Sequence, residues 1–214
     1  MKFYGYFRSS SSYRCRIAFN LKGLDVDFSS VHLKQGAQHA ADFAAINPQR
    51  MLPALVTDEG ETLTQSLAIL EWLDETHPEP ALLPADPLLR ARVRAFAQVI
   101  ACEIHPLQNL RVLKYLADNF EADSAATTQW LTRWLTDGLE ACEALLAKRA
   151  QATAFCYGDT PGLADICLVP QVFSAQRFGV DIGHLARIKE ITARCEALPA
   201  FAAAHPAKQP DAEP

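Results

Sequence analysis

The run Lys2-Phe3-Tyr4-Gly5-Tyr6-Phe7-Arg8-Ser9-Ser10-Ser11-Ser12-Tyr13-Arg14-Cys15-Arg16-Ile17-Ala18 changes period midway. Residues 2–7 are short and aromatic-rich, the composition of a strand. Over residues 14–22 the apolar positions Ile17, Ala18 and Leu21 fall on one helical face, and Gly23 supplies a stop. Between strand and helix stand the serines Ser9 to Ser12. Hydroxyl residues at such a place cap the helix and fill the turn. The same helix start offers free N–H groups and the positive end of a dipole.

Outward from this run the alternation continues. Residues 27–33 read as a second strand and residues 38–45 as a weaker helix ended by Asn47-Pro48. Residues 54–57, the turn Asp58-Glu59-Gly60 and residues 62–64 form a hairpin pattern. Residues 66–76 return to helical period through Leu67, Ile69, Leu70 and Leu73. The order β-α-β-α-β-β-α is that of a thioredoxin-like α/β domain over residues 1–80, although period alone leaves other α/β arrangements open. Pro78, Pro80, Pro84 and Pro87 then interrupt any helix, and a linker is expected at 81–87. Helical patterns near 88–118, 124–149, 162–177 and 184–197, with a last short one, predict an all-α bundle domain over 88–214. The closing residues 206–214 are expected to be loose.

With 214 residues, half of them hydrophobic, the chain can bury a large core, and its net charge of −5 with scattered basic residues argues against a nucleic-acid partner. No apolar stretch reaches the length of a membrane span, and the start lacks the pattern of a signal peptide, so a cytoplasmic protein with no membrane partner is expected. The cysteines Cys15, Cys102, Cys142, Cys156, Cys167 and Cys195 are widely spaced with no C-x-x-C pair. No metal site is expected from them; they read as small buried hydrophobes.

A thioredoxin-like domain carries its reactive thiol where this chain has serines. A hydroxyl cannot exchange disulfides, but it can donate a hydrogen bond to the thiolate of a bound partner. A free thiol with a pKa of about 8.5 is only a few per cent ionised at pH ~7, and lowering it by roughly 2 units, worth about 2.7 kcal/mol, makes most of it nucleophilic. Met51-Leu52-Pro53 stands where such domains use a cis proline to present backbone groups, and Gln65-Ser66 opens the third helix. Taken singly, Pro53 is an ordinary strand-starting proline and Ser66 a plain cap.

Residues 7–18 are similar to the signature of the zeta class of glutathione transferases, a double serine, usually a cysteine, then R-x-R-I-A. The similarity extends through Asn47-Pro48, Leu52-Pro53, Gln65-Ser66-Leu67-Ala68-Ile69, Pro106-Leu107-Gln108-Asn109-Leu110, Ala164-Asp165, Leu168-Val169-Pro170-Gln171, His205-Pro206 and Gln209-Pro210-Asp211. The resemblance implies a glutathione transferase fold, a homodimer, reduced glutathione as cofactor, and the activity of a maleylacetoacetate or maleylpyruvate isomerase. It implies that Ser9 or Ser10 stabilises the glutathione thiolate, with Ser11 and Arg8 completing the catalytic set. Glutathione contacts are then implied for Ser9, Ser10, Ser11, Ser12, Tyr13, Arg14, Gln38, Leu52, Pro53, Gln65 and Ser66, and for His105, Asn109, Leu110 and Arg111 of the helical part. Ser11 departs from the pattern, standing where many members have cysteine. Gly162 departs too, replacing the usual Ser or Thr cap three residues before Asp165, at a cost of a few tenths of a kcal/mol.

Adding a thiolate across an activated cis double bond leaves a single bond that can turn, and its expulsion gives the trans isomer, so the thiol is a catalyst. The enolate formed on the way calls for donors or positive charge near its oxygen and near the substrate's carboxylates. Arg8 stands beside the serines; Arg111 and Arg177 are the further candidates for a dicarboxylate. Arg14 and Arg16 lie inside the first helix, where a structural ion pair is expected. Two alternatives share the fold: a general transferase or dehalogenase acting on small electrophiles, and a non-catalytic glutathione-binding module. The intact arginine set and the missing cysteine lean toward the maleylpyruvate enzymes.

Overall fold

The sheet is built around strand β1 (Lys2–Gly5), with β2 (Asp27–Ser30) parallel on one side and β3 (Ala54–Val56) antiparallel on the other, followed by β4 (Thr62–Thr64), in the order β2-β1-β3-β4. Phe3 pairs with Phe28 on one flank and Leu55 on the other, and its ring meets Phe19 edge-on at 5.0 Å. Gly5 is glycine for a packing reason: a Cβ there would meet Phe3 Cε1 at 2.8 Å. The computed structural model describes residues 1–213, and the chain divides into one unit of Met1–Leu82 with the segment from Ala197, and a second of Leu83–Glu196.

In the first unit α1 (Ser10–Leu21) is buried at every position from Ser10 to Phe19. A helix buried all round needs apolar cover on several sides. The sheet supplies one side through Phe3. α3 (Ser66–Thr76) supplies another with Ile69, Leu70 and Leu73. The third comes from the far end of the chain, α9 (Pro199–Ala204), which packs on α1 with Phe201 and Ala204 buried. Asn20 Nδ2 donates to Ala200 O at 2.8 Å, and Arg16 Nε to Ala204 O at 3.1 Å. On the other face α2 (Ala41–Ile46), with Phe43, packs against Val31 and Ala54. It starts later than the sequence suggested, after short 3-10 turns at Leu33–Gln35 and Ala37–His39.

The expectations about the domain boundary, the tail and the linker need correction. Residues 197–213, expected in a helical domain over 88–214, pack instead in the first unit, where α9 covers α1 and its carbonyls accept from Arg16 and Asn20. Nor is the tail loose: Pro206–Lys208 forms a 3-10 turn, Gln209 Nε2 bonds Ala203 O and His205 O at 2.9 and 3.0 Å, and Glu213 pairs with His32. Pro214, which closed the expected loose segment, lies outside the described residues. The linker expected at 81–87 is partly pinned. The buried Lys22 ammonium donates to Asp74 (2.8 Å), His77 O (2.6 Å) and Pro80 O (2.8 Å), and Leu82 N donates to Asp74 at 2.7 Å.

The second unit is all helix. α4 (Pro87–Gln98) starts with Asp86 accepting from Leu89 N at 2.7 Å and proline in the first turn. The single helix expected over 88–118 does not form. The backbone widens into a π turn at Val99–Ile104, tightens at His105–Gln108 around Pro106, and restarts as α5 (Leu110–Phe120). α6 (Ser124–Ala147) crosses the π turn so closely that a Cβ on Gly138 would meet Ile104 Cγ1 at 2.3 Å. α7 (Leu163–Arg177) packs against α4 and α8 (Ala186–Glu196). Gln108 and Gln171 exchange two amide bonds of 3.2 Å in the interior. Cys102 is exposed, whereas the other cysteines are buried as expected.

Asp165, in the first turn of α7, is buried and accepts from Gly162 N at 3.0 Å and Cys156 N at 2.8 Å. Burial pushes its carboxyl above the usual range, opposed by those N–H donors. Gly162 has no side chain to reciprocate, so this cap rests on Asp165 alone. Asp165→Asn keeps one acceptor and turns an NH2 toward an N–H. It is expected to lose about 1–3 kcal/mol in urea unfolding; a loss under about 0.5 kcal/mol would contradict this account.

Candidate functional site

In the first unit three backbone features meet at the start of α1. Ser9 is the N-cap, its Oγ accepting from Ser12 N at 3.2 Å. Ser11 Oγ donates to Leu52 O at 3.0 Å, and its single proton is thereby spent. The 3.1 Å contact between Ser9 and Ser11 is therefore donated by Ser9. Ser10 takes no part in this chain of hydroxyls. Ser12 and Tyr13, 0% and 1% exposed, support the site from beneath and offer no surface to a ligand, a correction to their place among the expected contacts.

The Leu52-Pro53 peptide is cis, as the sequence pattern suggested. With its carbonyl held by Ser11, Leu52 keeps an N–H that meets no acceptor among the described residues. α3 begins at Ser66 with no side chain capping its first N–H groups. Gln65 before it stands at φ 68°, ψ 115°, a conformation costly for any residue but glycine, and its amide reaches Gln49 Oε1 at 2.9 Å. Backbone strain of this kind clusters at functional sites, and an uncapped N-terminus suits a carboxylate.

Beneath α3 lies Arg14, 1% exposed. Its Nη1 donates to Ser66 Oγ at 3.2 Å, while Nε and Nη2 are buried without a hydrogen-bond partner. The ion pair expected for Arg14 is thus replaced by a bond to the α3 N-terminus. Gln38, in the 3-10 turn before α2, also carries a buried, unpartnered amide oxygen. Arg8 is partly exposed, its guanidinium 4.9 Å from the Phe7 ring centre. These residues are brought together by the folding of one unit.

In the second unit His105 opens the 3-10 turn, its Nδ1 3.5 Å from Gln108 Nε2. Asn109 caps α5, accepting from Arg111 N at 3.1 Å, and Leu110 and Arg111 are exposed in its first turn. Arg177 ends α7, exposed, over the Phe178 ring at 4.3 Å. Gln49 and the tail residue Asp211 were given no role from sequence. The first was hidden in the Asn47-Pro48 turn, the second in a proline-rich end.

Residues 3–81 match the family model described as glutathione S-transferase, N-terminal domain. The chain is 49% identical over 212 residues to a maleylpyruvate isomerase of Ralstonia sp., covering 99% of each protein. A solved holo structure of a maleyl pyruvate isomerase, described as a bacterial glutathione S-transferase in zeta class, superposes with a TM-score of 0.97 at 47% identity over 100% of both chains. The maleylacetoacetate isomerase of Methylobacterium extorquens AM1, solved with bound malonate and GSH, gives a TM-score of 0.97 at 41% identity, again over 100% of both.

The hydroxyl chain separates the serines by their effect on folding. Ser9→Ala removes the cap and is expected to cost about 1 kcal/mol in denaturant unfolding, whereas Ser10→Ala should change stability by about 0.5 kcal/mol or less. Equal losses would contradict the assignment of Ser9 as the cap.

Proposed function

This chain belongs to the zeta class of glutathione transferases, and from that premise we propose that it converts a maleyl-type diketo acid to its fumaryl isomer with reduced glutathione as catalyst. The observation that carries the proposal is the set of unspent polar groups in one unit: the Leu52 N–H, the uncapped start of α3, the Gln38 amide oxygen and the Arg14 guanidinium. A tripeptide with two carboxylates, two amides and a thiol fits these groups.

Bound glutathione supplies a thiolate that adds reversibly to the cis double bond. The chain's part is to hold and polarise. The α1 N-terminus and the Ser10 hydroxyl donate to the sulfur; Ser9 donates there only by turning its proton away from Ser11, and Ser11, bonded to Leu52 O, sets the backbone beside it. Leu52 N–H and Pro53 meet the cysteinyl part together with Gln38. Gln65, Ser66 and the free N–H groups of α3 take the γ-glutamyl carboxylate, with Arg14 lending charge from below. His105, Asn109, Leu110 and Arg111 are proposed as further glutathione contacts.

Arg8, Arg111 and Arg177 are proposed for the substrate's carboxylates and the developing oxyanion. The relative that holds malonate with GSH supports a dicarboxylate of this kind. A homodimer and a cytoplasmic location complete the proposal; among the described residues no helix is long and apolar enough to cross a membrane. The pathway is the breakdown of tyrosine if the acid is maleylacetoacetate, and of gentisate if it is maleylpyruvate.

Following loss of each acid with and without glutathione tests the proposal. Turnover is expected only with glutathione present, and Arg8→Ala or Arg177→Ala should raise KM for the acid by about tenfold or more, the worth of one charge-assisted contact. Turnover of haloacids but of neither maleyl acid would favour the general transferase, and no glutathione binding would favour the non-catalytic module.

A further inference from the structure

The turn that presents Arg8 and Ser9 lies beyond the end of β1 and owes little to regular structure. It runs from Tyr6 to Ser9, closed by Ser9 N donating to Tyr6 O at 3.0 Å. Two charged side chains hold the Phe7 peptide groups. From α1, Arg16 donates through Nη2 to Phe7 O at 3.0 Å and through Nη1 to Tyr6 O at 3.4 Å. From the C-terminal tail, Asp211 Oδ2 accepts the Phe7 N–H at 3.0 Å and the Ser30 hydroxyl at 2.9 Å. Phe7 is therefore bonded on both sides of its own Cα, by residues 204 and 9 positions away. Its ring packs edge-on against Tyr6 at 4.7 Å and carries the Arg8 guanidinium on its face.

We propose that Asp211 is a positioning residue: by holding the Phe7 peptide it sets where Arg8 and Ser9 stand for the isomerisation. The consequence for activity rests on the function proposed above; the clamp itself does not. Asp211 is not a solvated tail carboxylate: it is only partly exposed, and its Oδ1 is buried with no hydrogen-bond partner among the described residues. Keeping an oxygen in that state is costly unless a charge compensates. Burial pulls the Arg16 guanidinium down to about 10, and Asp211 opposes that fall, so the two charges support each other across the turn. The rest of the tail does not depend on Asp211. Gln209 anchors it to Ala203 O and His205 O, and Glu213 pairs with His32. Removing the Asp211 carboxylate thus frees the Phe7 N–H and the Ser30 hydroxyl while the tail stays attached on both sides.

The test uses the full chain with Asp211→Ala and Asp211→Asn, following hydrogen exchange of the Phe7 amide and steady-state kinetics with glutathione and maleylpyruvate or maleylacetoacetate. For Asp211→Ala the Phe7 amide is expected to exchange about tenfold faster or more, with the β3 amides unchanged. Its kcat should fall by about tenfold to a hundredfold, as for a small misplacement of reacting groups, while KM for glutathione stays within about twofold. Asp211→Asn retains an acceptor for Phe7 N–H and should recover most of the loss in kcat. The proposal is overturned if Phe7 exchange is unchanged, if kcat of Asp211→Ala stays within about twofold of wild type, or if the loss disappears once normalised to the folded fraction. Should wild type turn over neither acid, the proposed isomerase falls by itself and Phe7 exchange alone decides whether Asp211 clamps the turn.

Discussion

An α-helix that begins inside a folded unit must find partners for its first N–H groups, and how α1 does so governs the rest of the site. Ser9 accepts from one of them and donates its own hydroxyl to Ser11 Oγ, and Ser11 donates to Leu52 O. This short chain of hydroxyls joins the helix start to the segment before β3. It occupies the Leu52 carbonyl, while the Leu52 N–H meets no acceptor among the described residues. The same economy appears at α3, where no side chain caps the first turn and Gln65 is held at positive φ. Two helix starts and one amide that meets no acceptor among the described residues suit a molecule with an anionic sulfur and a carboxylate, as proposed for glutathione.

A helix as buried as α1 is a costly place for cations, yet it carries Arg14 and Arg16, and Lys22 follows its end. Each stops a different neighbour from drifting. Arg14 reaches the N-terminus of α3, Arg16 binds carbonyls of the Tyr6–Phe7 turn and of α9, and Lys22 gathers Asp74 with two carbonyls of the proline segment. Arginine suits the first two tasks because its planar fork serves several acceptors in fixed directions. Breaking such buried bonds leaves a charge unpaired, which costs far more than an exposed pair. The serines are consequently presented by a helix whose surroundings are tied to it at three points.

The changes of period along residues 2–76 order the elements of the first unit, because strands and helices space their apolar residues differently. The serine run, Leu52-Pro53 and Gln65-Ser66 were legible for a similar reason: turn and cap chemistry restricts residue types locally. Other features escaped because they depend on distant contacts. The tail from Gln209 reads as a loose polar end, and its order comes from bonds to residues near the opposite terminus. The π turn at Val99–Ile104 lies where α6 approaches at Gly138, and Gln65's φ leaves no trace in composition. Ser12 and Tyr13 share the signature with Ser9 to Ser11, yet are buried completely on α1.

The pKa of glutathione bound to the wild-type chain measures most directly whether the α1 N-terminus and its hydroxyls stabilise a thiolate. Followed by ultraviolet thiolate absorbance as pH is raised, the bound thiol is predicted to ionise near pH ~6.5, about 2 units below free glutathione, in line with the shifts that helix N-termini and charged donors produce. A bound thiol that ionises near its free value of about 8.5 would contradict the account.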